Sequence, residues 1–190
     1  EFMLQQTQVK TVIPYFDNFV KKIPNLEALS KSKEKKVLKL WEGLGYYRRV
    51  KNLHKTSKIL IKKYKGKIPS NFEKLKELPG IGNYTSNILL ALIYNQPRIG
   101  LDGNVKRVLS RLFNVNNLNP FNLFRTKRNS DLAEALIEFG ALVCRPKEPR
   151  CYECKIKNMC SYYKLESKVQ FKEKIKTKPK SYDIFCYLKK

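Results

Sequence analysis

Long apolar segments are absent from this sequence. It has no run of about 18 apolar residues, which is what a membrane-spanning helix requires, and it has no signal-peptide pattern. We therefore expect a soluble, intracellular protein without a membrane partner.

Acidic residues are also scarce. The 190 residues include 16 Asp and Glu against 40 Lys and Arg, a formal net charge of +24, and the sequence pI is about 9.9. A charge of this size says nothing about the fold, but it predicts a polyanionic partner and salt-sensitive binding. Nucleic acid is the first candidate.

Strand patterns are missing before the C-terminal tail, whereas helical patterns follow one another along the chain. Near the N-terminus, the apolar residues at helical spacing are Val9, Ile13, Phe16 and Val20. Further on, the segment from Ser70 to Glu73 has the form of a capping box. The sequence therefore predicts an all-α fold.

The segment from Leu75 to Arg107 organises the chain, because two helical patterns there flank a glycine turn. The turn reads Leu78, Pro79, Gly80, Ile81 and Gly82. Proline cannot continue the first helix, and the glycines tolerate positive φ and a close backbone approach. The free N–H groups of Gly80, Gly82 and Asn83 would then open the second helix and form an anion site suited to a DNA phosphate. An ordinary interhelical turn is the alternative.

Five cysteines occur, and four of them are crowded into 17 residues. Cys144, Cys151, Cys154 and Cys160 have the spacing C-x6-C-x2-C-x5-C. In an intracellular protein such a group indicates a metal centre rather than a disulfide framework. Zinc sites usually have two C-x2-4-C arms, so the spacing favours an iron–sulfur cluster, with zinc or free thiols as alternatives. The fifth, Cys186, is expected to be an ordinary strand residue.

These features together resemble the helix-hairpin-helix DNA glycosylase superfamily over roughly residues 1 to 165, and within it the MutY-type adenine DNA glycosylases. The cysteine spacing is that of the four-iron four-sulfur loop of endonuclease III and the adenine glycosylases. Three segments favour the adenine branch: Glu1 to Val9, Gly43 to Arg48 with Asn52 to His54, and Leu101 to Val108. The resemblance implies a two-lobed all-α fold, a monomer, and one four-iron four-sulfur cluster. It also implies a double-stranded DNA substrate with adenine mispaired with 8-oxoguanine or guanine, in the bacterial cytoplasm or a eukaryotic nucleus.

The resemblance also implies roles for two carboxylates. Adenine is a poor leaving group, so Glu1 would protonate its ring as general acid while Asp102 would stabilise the oxocarbenium-like sugar. A solvated terminal residue is the alternative for Glu1, and a helix N-cap is the alternative for Asp102. Tyr84 stands where bifunctional lyases carry a Schiff-base lysine, which predicts base hydrolysis without efficient strand cleavage. Lys106, nearby in sequence, could trap the open sugar slowly or contact phosphate.

DNA contacts follow from the same resemblance. Gln6 and Tyr46 match residues that push into the duplex when a base is flipped, although Tyr46 could instead be a core aromatic. The full set of predicted DNA-binding residues is Gln5, Gln6, Tyr46, Arg48, Gly80, Gly82 and Asn83. His54 and Trp41 are expected to be structural.

The predicted domain organisation has four parts. These are a helical barrel over residues 1–98 with its hairpin at 75–94, a cluster lobe over 99–165, a basic linker over 166–180, and the start of a truncated C-terminal domain over 181–190. The resemblance thus implies a fragment truncated at both ends. The rival functions are a thymine-mismatch or endonuclease III-like glycosylase, and a catalytically impaired iron–sulfur DNA-binding module.

Overall fold

All the regular structure in the described part of the chain is helical. The computed structural model describes residues 1–114 and 126–166. The helices are α1 (Val9–Lys22), α2 (Leu26–Lys31), α3 (Glu34–Lys39), α4 (Arg48–Tyr64), α5 (Phe72–Lys76), α6 (Asn83–Tyr94), α7 (Gly103–Phe113), α8 (Asn129–Leu142) and α9 (Ser161–Glu166), with a short 3₁₀ turn over Lys157–Met159. No strand occurs in these residues, so the predicted all-α class is confirmed. None of the helices described is long and apolar enough to cross a membrane.

Side chains of Asn and Asp start three of the helices. The side-chain oxygens of Asn25, Asn71 and Asp102 accept hydrogen bonds from backbone N–H groups in the first turns of α2, α5 and α7. Such a bond satisfies one of the donors that a helix start leaves free. The predicted capping box at Ser70 was wrong by one residue, because Asn71 has the extended backbone and supplies the oxygen.

The N-terminal part of the core surrounds Trp41, which is fully buried. Its ring meets Phe19 of α1 edge-on at a centroid distance of 6.4 Å, and Val37 and Val50 complete the centre of the cluster. His54, on the same helix as Val50, is also buried. The expected structural roles of Trp41 and His54 are consistent with this burial.

Helix α6 is central to the molecule. Its residues Leu90 and Ile88 are both fully buried, but they belong to different clusters. Leu90 packs with residues of α4 and α5, whereas Ile88 and Ala91 pack against Ala133 of α8. The hairpin helix therefore joins the N-terminal helices to the C-terminal ones.

The C-terminal helices pack closely because a glycine lies at their crossing. A Cβ added at Gly140 of α8 would lie 2.7 Å from the Cβ of Asn104 on α7. The residues of α7 that face this contact and the surrounding core are Val105, Val108 and Leu109. The close approach brings the end of α8, and hence the first cysteine, against α7.

The apolar stripe predicted for the first helix faces outward. Val9, Ile13 and Phe16 are each more than half exposed, whereas Val12 and Phe19 are buried. The helix itself is as predicted, but its core face is set by Val12 and Phe19. The linker and strand predicted beyond residue 166 lie outside the described residues.

Candidate active site

The predicted hairpin is formed by α5, the turn through Gly80, and α6. Gly80 has φ +79°, and a Cβ added there would lie 2.8 Å from the Cβ of Asn52 and 2.8 Å from an aromatic carbon of Phe2. Glycine is required here by both the backbone conformation and the lack of space. Gly82 precedes α6 without any side-chain cap, so the first N–H groups of that helix remain available to an anion.

An open cleft of about 920 Å³ lies beside this turn. The predicted residues that line it are Gln5, Gln6, Tyr46, Arg48, Gly80, Gly82, Tyr84 and Asp102. Asn83 and Lys106 are not among its lining residues, and Glu1 lines a neighbouring apolar pocket. The structure therefore brings together residues from the N-terminal segment, the start of α4, the hairpin, and the start of α7.

Gln5 connects the N-terminal segment to the hairpin. Its amide nitrogen donates to the carbonyl oxygen of Gly80 at 3.2 Å and to the hydroxyl of Thr85 at 3.4 Å. The side chain thereby holds the segment against the glycine turn. Glu1, four residues earlier, is half-buried, and its carbonyl accepts the N–H groups of Leu4 and Gln5. Glu1 is therefore part of a hydrogen-bonded turn.

Asp102 caps the start of α7, as the alternative interpretation of this residue predicted. One carboxylate oxygen accepts the N–H of Val105 at 2.7 Å, and the other accepts the side-chain amide of Asn104 at 3.2 Å. The carboxylate also lines the cleft. Because these bonds orient the group without covering it, capping and catalysis are compatible.

Tyr84 lies near both carboxylates. Burial, together with the negative charges of Glu1 and Asp102, raises the pKa of the Tyr84 hydroxyl well above its usual value. The hydroxyl is thus a neutral hydrogen-bond donor at physiological pH. Both carboxylates therefore disfavour the ionised form of the Tyr84 phenol, and Asp102 lines the same cleft as Tyr84.

Gln6 and Tyr46, the two residues predicted to push into the DNA duplex, have the same unusual backbone conformation. Gln6 has φ +58° and Tyr46 has φ +47°, a region that L-residues rarely adopt. The Tyr46 side chain is 62% exposed, so the alternative prediction that Tyr46 is a core aromatic was wrong. Both residues line the cleft and present their side chains to it.

Arg49 also lines the cleft, and it was not among the residues predicted from the sequence. It is only 7% exposed, and its guanidinium donates to the carbonyls of Met3 and Gly45. Burial lowers the pKa of the Arg49 guanidinium below its usual value. The burial of Arg49 could have been predicted from the sequence, because Arg49 falls at helical spacing with Leu53, Thr56 and Leu60 on the inward face of α4.

The four predicted cluster ligands line one pocket. Cys144 follows α8, and the other thiols come from the loop and the short turn before α9. The remaining walls are largely apolar and aromatic: Val108, Leu112, Phe139, Val143, Ile156, Tyr162 and Tyr163. No disulfide joins the cysteines, and the described residues contain no group of three or more His, Cys, Asp or Glu side chains that could hold a metal ion.

Two arginines of α7 hold the start of the cysteine loop, and one of them is also linked to the cleft. Arg107 donates to the carbonyl of Cys144 at 2.8 Å and to the side chain of Asn104 at 2.8 Å, while Asn104 donates to Asp102. One turn later, Arg111 donates to the carbonyl of Arg145 at 2.7 Å. The helix capped by Asp102 therefore also holds the start of the cysteine loop.

The chain matches a known protein family, and its fold matches solved structures. The family model described as "HhH-GPD superfamily base excision DNA repair protein" matches residues 1–134. Among curated proteins, the chain is similar to the adenine DNA glycosylase of Buchnera aphidicola subsp. Baizongia pistaciae, with 42% identity over 173 residues, which cover 86% of this chain and 49% of that protein. It is also similar to the adenine DNA glycosylase of Homo sapiens, with 34% identity over 174 residues, which cover 84% of this chain and 32% of that protein.

The chain thus spans about half the length of the bacterial relatives, 49% to 58% in the three Buchnera proteins. Among solved structures, a thermostable thymine-DNA glycosylase aligns with a TM-score of 0.75 at 27% identity, covering 86% of this chain and 81% of its own. A trapped endonuclease III–DNA covalent intermediate aligns with a TM-score of 0.74, covering 87% of this chain and 82% of its own. At 22% identity, that second likeness shows the fold alone.

Proposed function

We propose that this chain, which belongs to the HhH-GPD superfamily of base excision DNA repair proteins, carries the catalytic part of an adenine DNA glycosylase. Its substrate would be double-stranded DNA in which adenine is mispaired with 8-oxoguanine or guanine, and its product an abasic site. The similarity to adenine DNA glycosylases over most of this chain supports the proposal. The observation that carries it is one open cleft that is lined by Asp102, Tyr84 and the glycine turn together with Gln6 and Tyr46.

The proposed reaction assigns one role to each carboxylate. Glu1 would protonate the adenine ring while the glycosidic bond stretches, so that the base leaves as a neutral molecule. Asp102 would stabilise the positive charge that develops on the sugar, and water would complete the hydrolysis. The capping bonds of Asp102 would help to hold its carboxylate in a fixed orientation.

Tyr84 would make the enzyme monofunctional. A phenol hydroxyl cannot form a Schiff base with the sugar, because it has no amine to attack the sugar carbon. It would instead donate a hydrogen bond near the two carboxylates. Lys106 remains the proposed site of slow sugar trapping or phosphate contact.

DNA would be held by the cleft and by the glycine turn. The uncapped start of α6 would bind a phosphate through the N–H groups near Gly82 and Asn83, with Gly80 allowing the close approach. Gln6 and Tyr46 would enter the duplex when adenine is extruded, with Gln5 and Arg48 beside them. The lobes would divide near residue 98, which is supported by the separate clusters around Trp41 and around Val105.

The first test is base release under single-turnover conditions from a duplex with adenine opposite 8-oxoguanine, using iron-reconstituted protein. We expect strand scission only after alkali treatment, because the chain lacks the lysine of the bifunctional lyases. A duplex with cytosine opposite 8-oxoguanine is the matched negative control. Thymine release from a thymine–guanine duplex would favour the thymine-mismatch alternative, and DNA binding without any base release would favour the impaired binding module.

The cofactor proposal is that Cys144, Cys151, Cys154 and Cys160 hold one four-iron four-sulfur cluster. Endonuclease III-like members of the family generally bind such a cluster. The four thiols line one pocket and are the type of donor it requires, although the described side chains do not converge as a metal-holding group. The cluster would hold the loop in shape and present its basic residues to phosphates. It would take no part in bond cleavage.

We expect about four irons and four sulfides per chain after anaerobic reconstitution. Replacing Cys154 by serine should lower the iron content and the visible absorbance, because one thiolate ligand is lost. Cys186→Ser, outside the predicted ligand set, is the matched control and should keep the full iron content. One zinc per chain, with no iron uptake, would contradict the cluster and favour the zinc alternative.

A further inference from the structure

We propose that Arg49 is a positioning residue that holds Gln6 and Tyr46 in the conformations in which they enter the duplex. A single guanidinium ties together the two loops that carry these residues. The proposal rests on the proposed function, because it assigns Arg49 a part in base extrusion. No contact between Arg49 and DNA is required.

One side of the guanidinium holds the N-terminal segment. Several acceptors lie within hydrogen-bond distance of its Nη1 atom and share its two N–H groups. They include the carbonyl of Met3 at 2.7 Å, the carbonyl of Gln5, and the hydroxyl of Thr7 at 3.0 Å. These acceptors lie on both sides of Gln6 in the sequence. The backbone of Gln6 is therefore fixed by its two neighbours.

The other side of the guanidinium holds the turn before α4. Its Nη2 atom donates to the carbonyls of Leu44 and Gly45 at 3.4 and 3.3 Å. The Gly45 carbonyl also accepts the indole N–H of Trp41 at 3.0 Å. Because Gly45 immediately precedes Tyr46, these bonds restrict the peptide that sets the direction of the tyrosine side chain.

The guanidinium also lies over two aromatic rings. Its carbon lies 5.3 Å from the centroid of Trp41, which is buried, and 5.2 Å from that of Tyr46, which is exposed. A cation over an aromatic face is attracted by the ring electrons. Arg49 thus bridges the rigid core and the exposed ring.

The backbone conformations of Gln6 and Tyr46 explain why Arg49 is needed to hold them. Gln6 and Tyr46 both have positive φ, which is disfavoured for residues other than glycine. Without outside contacts each would relax to an ordinary conformation and turn its side chain away. Arginine suits the position, since a planar fork can bond several carbonyls and stack at the same time, which a lysine ammonium cannot do.

A merely structural role for Arg49 makes a different prediction. If Arg49 only stabilised the fold, its replacement would lower the stability of the molecule as a whole, and exchange would rise even in the buried helix α6, which carries Leu90. If it positions the two loops, the effect would be confined to residues 2–7 and 43–47. Hydrogen exchange of backbone amides separates these cases and does not depend on activity.

The test compares Arg49→Lys with Lys51→Met, which removes an exposed charge from the same helix. In Arg49→Lys we expect faster exchange in the two loops with unchanged exchange in α6. We also expect a smaller fluorescence rise when 2-aminopurine replaces the adenine opposite 8-oxoguanine. Base release should slow by about 10- to 100-fold, with affinity for undamaged duplex within about twofold. Lys51→Met should leave loop exchange and the fluorescence rise as in the unaltered protein.

Unchanged loop exchange in Arg49→Lys would overturn the proposal, as would equal loss of protection in α6. If Arg49→Lys does not fold, Thr7→Val removes one acceptor only and should accelerate exchange in residues 2–7 alone; no change there would likewise overturn it. If the unaltered protein releases no base from any duplex, the proposed function fails. The exchange and fluorescence measurements would still test whether Arg49 holds the two loops in place.

Discussion

Replacing Asp102 by asparagine is expected to slow single-turnover base release by about 100- to 1,000-fold without loss of folding stability. Asparagine is as good an N-cap as aspartate, so the bond to the N–H of Val105 can be kept. The negative charge that would stabilise the sugar cation is lost. The measurements are the rate of base release and the midpoint of thermal unfolding.

Asp102→Ala is the companion variant, because it removes the cap together with the charge. We expect the same loss of activity and, in addition, a loss of about 1 kcal/mol in the free energy of unfolding. If the asparagine variant kept full activity while the alanine variant lost stability, Asp102 would be a cap only. That result would remove one of the two carboxylates from the proposed mechanism.

Replacing Glu1 by glutamine is expected to slow base release by about 100- to 10,000-fold, the range typical of a general acid. Glutamine has nearly the same shape but cannot donate the required proton to adenine. Affinity for the mispaired duplex should be retained, because the hairpin and the cleft are unchanged. The measurements are the single-turnover rate and the dissociation constant at one fixed salt concentration.

The control must account for charge, since removing any carboxylate from so basic a protein favours DNA binding. Glu138→Gln provides it, because Glu138 is exposed on α8. Both variants should share any general gain in affinity, but only Glu1→Gln should lose activity. Equal rates in the two variants would mean that Glu1 is not the acid, and another donor near Tyr84 would have to be sought.

Several features of the site could be predicted from sequence because they depend on neighbours along the chain. The hairpin glycines, the helix from Asn83 to Tyr94, and the cap at Asp102 were all predicted. Each depends on the conformational freedom of a residue or on hydrogen bonds within a few positions. The Ser70 cap failed for the same local reason, since Ser70 and Asn71 are both good caps and backbone geometry chose between them.

Burial was less predictable, because one pattern is compatible with more than one orientation. The stripe of Val9, Ile13 and Phe16 correctly indicated a helix, yet these side chains are exposed while Val12 and Phe19 are buried. Arg49, by contrast, is a charged residue that is buried. Charged side chains are ordinarily exposed, but the carbonyls of the two loops and the rings of Trp41 and Tyr46 together provide a buried site for this guanidinium.

The amino-acid sequence by itself determined the helices, the glycine turn, the excess of positive charge and the spacing of the four thiols, because these depend on local covalent structure and composition. Only the tertiary structure decided that Asp102 and Tyr84 line one cleft with Gln6 and Tyr46, and that one arginine joins the two loops that carry Gln6 and Tyr46. Those residues are far apart in the chain. They meet because the N-terminal segment is hydrogen-bonded to the hairpin turn through Gln5 and to the turn before α4 through Arg49, contacts that no single position encodes.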